Sequence, residues 1–368
     1  MPPMPVDPVM SAPGPDGAAG PDHAAGPGSA ARLVGAAEAQ SYDPAPAARG
    51  RVGAVLTRSR EELAAALERA PAPRAVVMTM GALHEGHFDL VREAARRVGA
   101  AGTVVVTIFV NPLQFAAGED LESYPRDLEG DLEGLERALS GPEGPLGEGR
   151  LVVFAPTPEV LYPDGPPRVR IDPGPMSTVL EGRTRPTHFA GVCQVVLALL
   201  HLTSPRWALF GRKDAQQLAI VTAMVEDLAV PVEIVPVDIR REPDGLAMSS
   251  RNAYLTADQR QQALALSAAL EAGRRAAAVG AGPDAVRTAA EAALAQAPGV
   301  VTDYVALVDP ATFTDLTGQG PGLPPSSGIG GERPGGSGPG RALLAVAARV
   351  GSTRLIDNCL VDLPADRG

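Results

Sequence analysis

Two histidines three residues apart, His84 and His87, stand in Met80-Gly81-Ala82-Leu83-His84-Glu85-Gly86-His87, directly after the apolar run Ala75-Val76-Val77-Met78. A β-rich run, a glycine turn and a helical pattern in that order make a strand–turn–helix unit. At this spacing both imidazoles can share one face of the helix start. That end of a helix offers free N–H groups and the positive end of the macrodipole, a setting suited to a polyphosphate. Gly81 and Gly86 permit a tight backbone and close approach of a ligand. The competing reading is a pair of surface histidines opening an ordinary helix, but the whole chain holds only five.

Three further stretches carry groups of the right chemistry. Asn111 and Gln114, in Ile108-Phe109-Val110-Asn111-Pro112-Leu113-Gln114-Phe115, fall at the carboxyl end of an apolar run. Their amides can orient a hydroxyl, a carboxylate or an amine without adding charge; the alternative is a plain Asn-Pro strand-end turn. Gly211-Arg212-Lys213-Asp214 enters a helix that also bears Gln217. Lys213 suits a phosphate, Asp214 a magnesium ion or a ribose, and Gln217 a neutral polar group, with spacings of three and four that share a face; the bland reading is a charged helix start. Met248-Ser249-Ser250-Arg251 gives two hydroxyls and a guanidinium, which reads as a flexible anion clamp or as a solvated loop. The Arg183–Gly191 loop, holding Arg185 and His188, divides evenly between a substrate-side role and helix capping. Glu129, Asp131 and Glu133 read as a solvated helix face, and Cys193 and Cys359 as core packing.

The elements that must position these groups alternate. Strands are expected at Ala75–Thr79, Gly102–Val110, Leu151–Ala155, Trp207–Phe210 and Val232–Val237. Helices are expected from about His87 to Val98, Asp127 to Leu139, Phe189 to Leu202 and Ala215 to Leu228. That pattern predicts an α/β fold, a Rossmann-like doubly wound parallel sheet whose ligands sit at the carboxyl ends of its strands. A smaller α+β C-terminal domain follows. It opens with a capping box, Thr256 to Gln259, and continues with helices to Val279 and over Pro283–Gln296, then strands at Asp303–Val308, Leu343–Val350 and Arg354–Leu360. The boundaries are a Pro/Ala/Gly-rich tail over 1–50, expected to be disordered, a first domain over 51–238 and a second over 239–368. Residues 317–340 read as a flexible Gly/Pro-rich insertion.

The bulk properties narrow the classes. The 368 residues carry a formal net charge of -11 with no basic stripe, which argues against a nucleic-acid partner. No apolar run reaches membrane-spanning length, and the start lacks a signal-peptide pattern. Two distant cysteines give no disulfide framework and no cysteine metal site, so a cytoplasmic protein without membrane attachment is expected.

His84-Glu85-Gly86-His87 is the H-x-G-H pattern of the nucleotidylyltransferase superfamily, whose members attack the α-phosphate of ATP. The acidic charge disfavours the aminoacyl-tRNA synthetases that share it. Taken together, MGALHEGH, IFVNPLQF, ESYPRD, RPTHFAGV, KDAQQL and DGLAMSSRNAYL resemble the pantothenate synthetase (pantoate–β-alanine ligase) family over about 52–362. The resemblance implies that (R)-pantoate and β-alanine are joined at the expense of ATP through a pantoyl-adenylate, releasing AMP and pyrophosphate. It places Met80, Gly81, Ala82, Leu83, His84, Glu85, Gly86 and His87 on ATP, with His87 as the family's proton donor. Gly211, Arg212, Lys213, Asp214, Arg240, Met248, Ser249, Ser250 and Arg251 join them. His84, His87, Lys213 and Arg251 would carry the chemistry, mainly by stabilising phosphate charge. Gln114 and Gln217 would hold pantoate, and Gln114 would also lie beside β-alanine. Mg²⁺ is implied with ATP, no protein metal site is, and family enzymes are usually homodimers whose second domain closes over the nucleotide. Four positions depart from the family pattern: Met78 for proline, Arg212 for glutamate, Ala215 for an aromatic and Arg240 for an aliphatic residue. Two other readings stand beside this one, an adenylyltransferase that stops at AMP transfer and a non-catalytic ATP-binding homologue.

Overall fold

The computed structural model describes residues 53–116, 118–119, 121–140, 150–324 and 340–364. The 1–50 tail and residues 325–339 of the expected insertion lie outside the described residues. Six strands, β1 (Val55–Thr57), β2 (Arg74–Thr79), β3 (Thr103–Ile108), β4 (Leu151–Phe154), β5 (Trp207–Gly211) and β6 (Glu233–Val237), form one sheet in the order β1-β4-β3-β2-β5-β6. Every neighbour pair is parallel. The four inner strands are short apolar runs buried on both faces, as a sheet covered by helices on each side requires.

Helices α2 (Glu85–Val98) and α3 (Leu128–Leu139) cover one face, where Val91, Ala94 and Leu135 pack on Val77, Val104 and Val106. Helices α1 (Arg60–Arg69), α6 (His188–Thr203) and α7 (Ala215–Asp227) cover the other, packing on Val76, Val105 and Phe210. Two short helices, α4 (Pro158–Leu161) and α5 (Leu180–Thr184), lead into α6. The chain leaves β2 toward one side and β5 toward the other, so the strand order reverses between these two paired strands. Their carboxyl ends are therefore the topological switch point where such sheets bind ligands. Those ends carry the Met80–His87 turn and the Gly211–Asp214 turn.

A second, antiparallel sheet orders β7 (Val300–Val308), β8 (Arg341–Val350) and β9 (Thr353–Asp362) as β7-β8-β9. Helices α8 (Ala257–Ala278) and α9 (Pro283–Ala295) pack on one of its faces through Leu266, Val286 and Leu294. The opposite face carries Tyr304, Ala306, Val308 and Leu343, and packs against Leu180 of α5 and Ala219 of α7. From Ala342 to Ala348 β8 is apolar on both sides, because both of its faces are covered there.

One expectation changes in detail. The described part of the 317–340 stretch is held in place, because buried Asp315 accepts hydrogen bonds from the Thr317 hydroxyl at 2.9 Å and the Gly320 amide at 2.7 Å. Met78, which departs from the family pattern, keeps the β2 register opposite Thr107 and packs beside the core.

Candidate active site

Strand β2 ends in a turn whose shape depends on two left-handed residues, Gly81 at φ +91° and Ala82 at φ +49°. A Cβ on Gly81 would stand 3.1 Å from both the Asp131 carboxylate and Ile108, so only glycine fits without displacement. Asp131, on α3, is 3 % exposed and accepts the Leu83 amide at 2.5 Å. Burial raises its carboxyl above the usual range, and the backbone amides of Leu83 and Ala82 act against that rise. The acidic helix face is expected to be solvated; Asp131 instead is buried against the turn and accepts the Leu83 N–H.

The two histidines then cap α2 reciprocally. His84 is the N-cap, and its Nδ1 accepts the Gly86 amide at 3.2 Å. His87, three residues on, accepts the His84 amide through its own Nδ1 at 3.3 Å. The arrangement is a capping box built from imidazoles, with ring centroids 4.0 Å apart. With both Nδ1 atoms accepting, each neutral ring carries its proton on Nε2. The helix start therefore offers imidazole N–H donors, while the Gly86 amide is already taken. Burial, then His84 and Lys213, lower His87 to about 3. Burial and Lys213 also lower His84. Both rings are neutral at neutral pH.

Met80, His84, Gly86 and His87 line a cavity of about 260 Å³. Its walls also include Gly211, Lys213, Asp214 and Gln217 from the β5–α7 turn. Arg240 and the Met248–Arg251 stretch complete its nucleotide side, and Asn111 and Gln114 lie in the same wall. A second lobe of about 480 Å³ shares Lys213, Asp214, Gln217, Ser249 and Arg251 and extends toward β9. Within the cleft, desolvation raises Asp214, but Lys213, His188 and Arg251 outweigh it and hold the carboxyl below its usual range. Gly81, Ala82 and Leu83 shape the turn from behind, and Glu85 faces Arg92 at 3.0 Å. Arg212 lines neither lobe and pairs at 3.0 Å with Asp238, which does line the smaller one. Arg240 lines the cleft while holding Asp89 at 3.1 Å.

The amide pair at the end of β3 is set by a network. Buried Asn111 donates to the Gly191 carbonyl at 3.0 Å and to Gln114 Oε1 at 3.3 Å. Gln114 Nε2 then points to the Met80 sulfur at 2.9 Å and into the cavity. The Gln114 carbonyl accepts from Arg185 Nη2 and from His188 Nδ1, each at 3.1 Å, and Arg185 is gripped by Glu119. The Arg183–Gly191 loop thus holds the glutamine turn as well as bordering the cleft. Of the adjacent glutamines, Gln216 is buried and tied to Met176, Val179 and Glu181, whereas Gln217 faces the cleft.

The second sheet contributes residues that the motifs did not reveal. Asn358 of β9 donates to the Arg212 and Lys213 carbonyls at 3.0 and 2.8 Å, fixing the backbone beneath the lysine. Buried Asp357 grips Arg241 at 2.7 and 3.0 Å. Arg260 binds Glu242 and Asp244, and Asn252 binds Glu242. The serine–arginine clamp therefore stands on a pinned hairpin rather than a free loop.

His188 supplies a pH prediction. Burial and then Arg185 lower it to about 4, so it is neutral in the fold and ordinary, near 6.5, in the unfolded chain. The unfolded state takes up the proton first as pH falls, so the contribution favours unfolding between about 6.5 and 4. His87 adds the same sign down to about 3. Each ring is expected to cost up to about 1.4 kcal/mol per pH unit across its window. Urea midpoints at pH 7.5, 6 and 5 should show a steeper acid loss for the native chain than for His188→Asn; equal slopes would contradict the neutral buried ring.

A doubly wound sheet with an H-x-G-H turn and a lysine turn on either side of its switch point defines an α/β nucleotidylyl-transfer type of protein. Within that class the chain belongs to the pantoate-beta-alanine ligase family, whose model matches residues 55–360. It is 52% identical over 309 residues to a pantothenate synthetase of Salinispora arenicola, covering 84% of this chain and 98% of that one. Among solved structures, a pantothenate synthetase from Thermus thermophilus matches with a TM-score of 0.68 at 40% identity, over 83% of this chain and 98% of that one. A pantoate-beta-alanine ligase from Francisella tularensis, complexed with beta-gamma ATP and beta-alanine, matches with a TM-score of 0.61 at 27% identity, over 83% and 97%.

Proposed function

We propose that this chain condenses (R)-pantoate with β-alanine at the expense of ATP. The observation that carries the reading is the single cleft joining two imidazole N–H donors, Lys213 and Arg251 to the neutral amides of Gln114 and Gln217. Cations and imidazoles meet the triphosphate, while amides meet an acid bearing hydroxyls. An acceptor that was itself phosphorylated would need further basic residues where the glutamines stand, so the adenylyltransferase reading is disfavoured.

In the first step a pantoate carboxylate oxygen forms a bond to the α-phosphorus, and the bond to the bridging oxygen breaks, so pyrophosphate leaves with its electron pair. His84 and His87 donate Nε2–H bonds to phosphate oxygens, and Lys213 and Arg251 balance the charge that accumulates. The neutral His87 ring acts here as a hydrogen-bond donor, since an imidazolium with a pKa near 3 is not populated at neutral pH. In the second step the neutral amine of β-alanine forms the amide bond to the acyl carbon. The acyl–oxygen bond breaks, AMP leaves, and the ammonium proton passes to solvent. The branched carbon skeleton of pantoate suits the apolar part of the wall, where Phe109, Val195 and Val196 lie.

Mg²⁺ would enter as part of MgATP. Among the described residues no group of three or more His, Cys, Asp or Glu side chains could hold a metal ion. Residues 239–368 are proposed as the domain that covers the nucleotide, since its Met248–Arg251 stretch lines the cleft and Asn358 bonds the Arg212 and Lys213 carbonyls. A cytoplasmic homodimer completes the reading. Among the described residues no helix is long and apolar enough to cross a membrane, and both cysteines are free thiols.

The deciding assay follows AMP and pantothenate from ATP and (R)-pantoate, with and without β-alanine. Pantothenate formed in step with β-alanine-dependent AMP is the expected result. A stable adenylylated product that β-alanine does not consume would favour the transferase, and ATP binding without any AMP would favour a non-catalytic homologue.

A further inference from the structure

Asn111 fixes which end of the Gln114 amide faces the cleft, and its own side chain is fully satisfied. Its Nδ2 has two acceptors, the Gly191 carbonyl and Gln114 Oε1. Its Oδ1 has two donors, the Leu113 amide at 3.3 Å and the Tyr162 hydroxyl at 3.0 Å. The shorter of these two comes from a residue more than fifty positions away in sequence, just beyond α4. Tyr162 lines neither lobe of the cleft, whereas Asn111, which its hydroxyl meets, lines the smaller one.

Its ring is nonetheless placed with care. It packs edge-on to Phe109 with centroids 6.1 Å apart, and its amide is held by the Pro158 carbonyl at 2.7 Å. Burial pushes the phenol up to about 12, which keeps the hydroxyl a donor across the working pH range.

We infer that Tyr162 is a positioning residue for the acid substrate, acting through the chain Tyr162 hydroxyl–Asn111 Oδ1, Asn111 Nδ2–Gln114 Oε1. The inference rests on the assignment of Gln114 to pantoate. Gln114 presents Nε2–H donors to the cleft, and every oxygen of a hydroxy acid can accept them. Removing the Tyr162 hydroxyl leaves Asn111 Oδ1 with one long bond from Leu113. Asn111 then gains freedom to swing, and Gln114 loses the fixed partner that keeps its acceptor end away from the carboxylate. ATP is held by groups on the turns after β2 and β5 and by the Met248–Arg251 stretch, and this chain of contacts meets them only where Gln114 Nε2 faces the Met80 sulfur.

Tyr162→Phe keeps the ring and its contact with Phe109 while deleting only the donor. The expected result is a KM for pantoate raised roughly three- to tenfold, the worth of one buried hydrogen bond, with the KM for ATP unchanged. A second variant makes the route testable. Gln114→Ala alone should raise the pantoate KM, and adding Tyr162→Phe to it should produce no further rise, because the relay then has no terminus. A loss shared equally by all substrates, or a Tyr162→Phe effect that persists in the Gln114→Ala background, would overturn the relay and mark the hydroxyl as general packing. An unchanged pantoate KM in Tyr162→Phe with a strong effect in Gln114→Ala overturns the relay alone. An unchanged pantoate KM in Gln114→Ala overturns the pantoate assignment and the relay with it.

Discussion

Replacing His87 with alanine is expected to reduce pantoate-dependent AMP formation by about a hundred- to a thousandfold, the usual cost of deleting one donor aimed at developing charge. The ring does two things at once. Its Nδ1 accepts the His84 amide and so closes the α2 capping box, while its Nε2–H is the donor left for the cleft. Alanine removes both, with about 1 kcal/mol of stability going with the cap. Glutamine separates them, since a glutamine at the third helical position reaches back to the N-cap amide in the same way. His87→Gln should therefore melt close to the native chain yet remain as inactive as His87→Ala. Steady-state rates beside thermal melts of both variants test this. If the glutamine variant recovers most of the activity, the cap matters and the imidazole donor does not. His84→Ala should lose the Gly86 contact as well, and the two histidines are expected to be strongly non-additive, because each orients the other.

The sequence made the site's outline readable where local pattern and chemistry coincide. His84 and His87 follow a strand and open a helix, so spacing places them at a strand's carboxyl end, and the strand order makes that end the switch point. What spacing could not show is that their Nδ1 atoms are used on each other's backbone, which decides the tautomer and hence what the ligand meets. Asp131 was obscured differently. Glu129, Asp131 and Glu133 look alike in a row, and only the crossing of α3 beneath the β2 turn buries one of them. A signal was present nonetheless, because Asp131 shares the buried stripe of Leu135, Ala138 and Leu139 at helical spacing. A carboxylate on an apolar stripe needs a partner, and here the partner is the Leu83 amide.

Local signals were also passed over at the start of the fold. Ser59 and Glu62 form a capping box that announces α1, and Val55–Thr57 supplies the edge strand β1 beside β4. A three-residue strand carries too little alternation to stand out before its partner is known. Asn358, Asp357 and Arg354 were illegible for a stronger reason. They lie on β9, far along the chain from Lys213, Arg241 and Glu181, and long-range partners leave no trace in periodicity. The four departures from the family pattern resolve unevenly. Arg212 pairs with exposed Asp238 and Arg240 with Asp89, so two added charges come with acidic partners. Nothing in the structure explains Ala215.

Arg354→Ala is expected to cost about 3–5 kcal/mol of stability, because it leaves a carboxylate largely buried without its counter-charge. Arg354 of β9 meets both Glu181 oxygens at 2.7 Å and Asp303 at 2.7 Å, with side-chain exposures of 14% for Arg354 and 13% for Glu181. The Tyr304 hydroxyl adds a donor to Glu181 at 2.9 Å. Burial alone would lower the guanidinium, but Glu181 and Asp303 outweigh it and keep it charged. Glu181 sits on α5, and its backbone amide is tied to buried Gln216 on α7. The cluster therefore fastens the second sheet to the helices that frame the cleft, next to Leu180 in the apolar contact between them. Removing the more deeply buried stranded carboxylate should matter more than restoring the bond, since Asp303 is 29% exposed against 13% for Glu181. Arg354→Met combined with Glu181→Gln removes both charges at similar volume and is expected to recover most of the loss. Urea midpoints of the single and double variants decide it. A single variant that costs under about 1 kcal/mol would mean that water reaches the pair and that the apolar packing of Leu180 and Tyr304 alone holds the sheet in place.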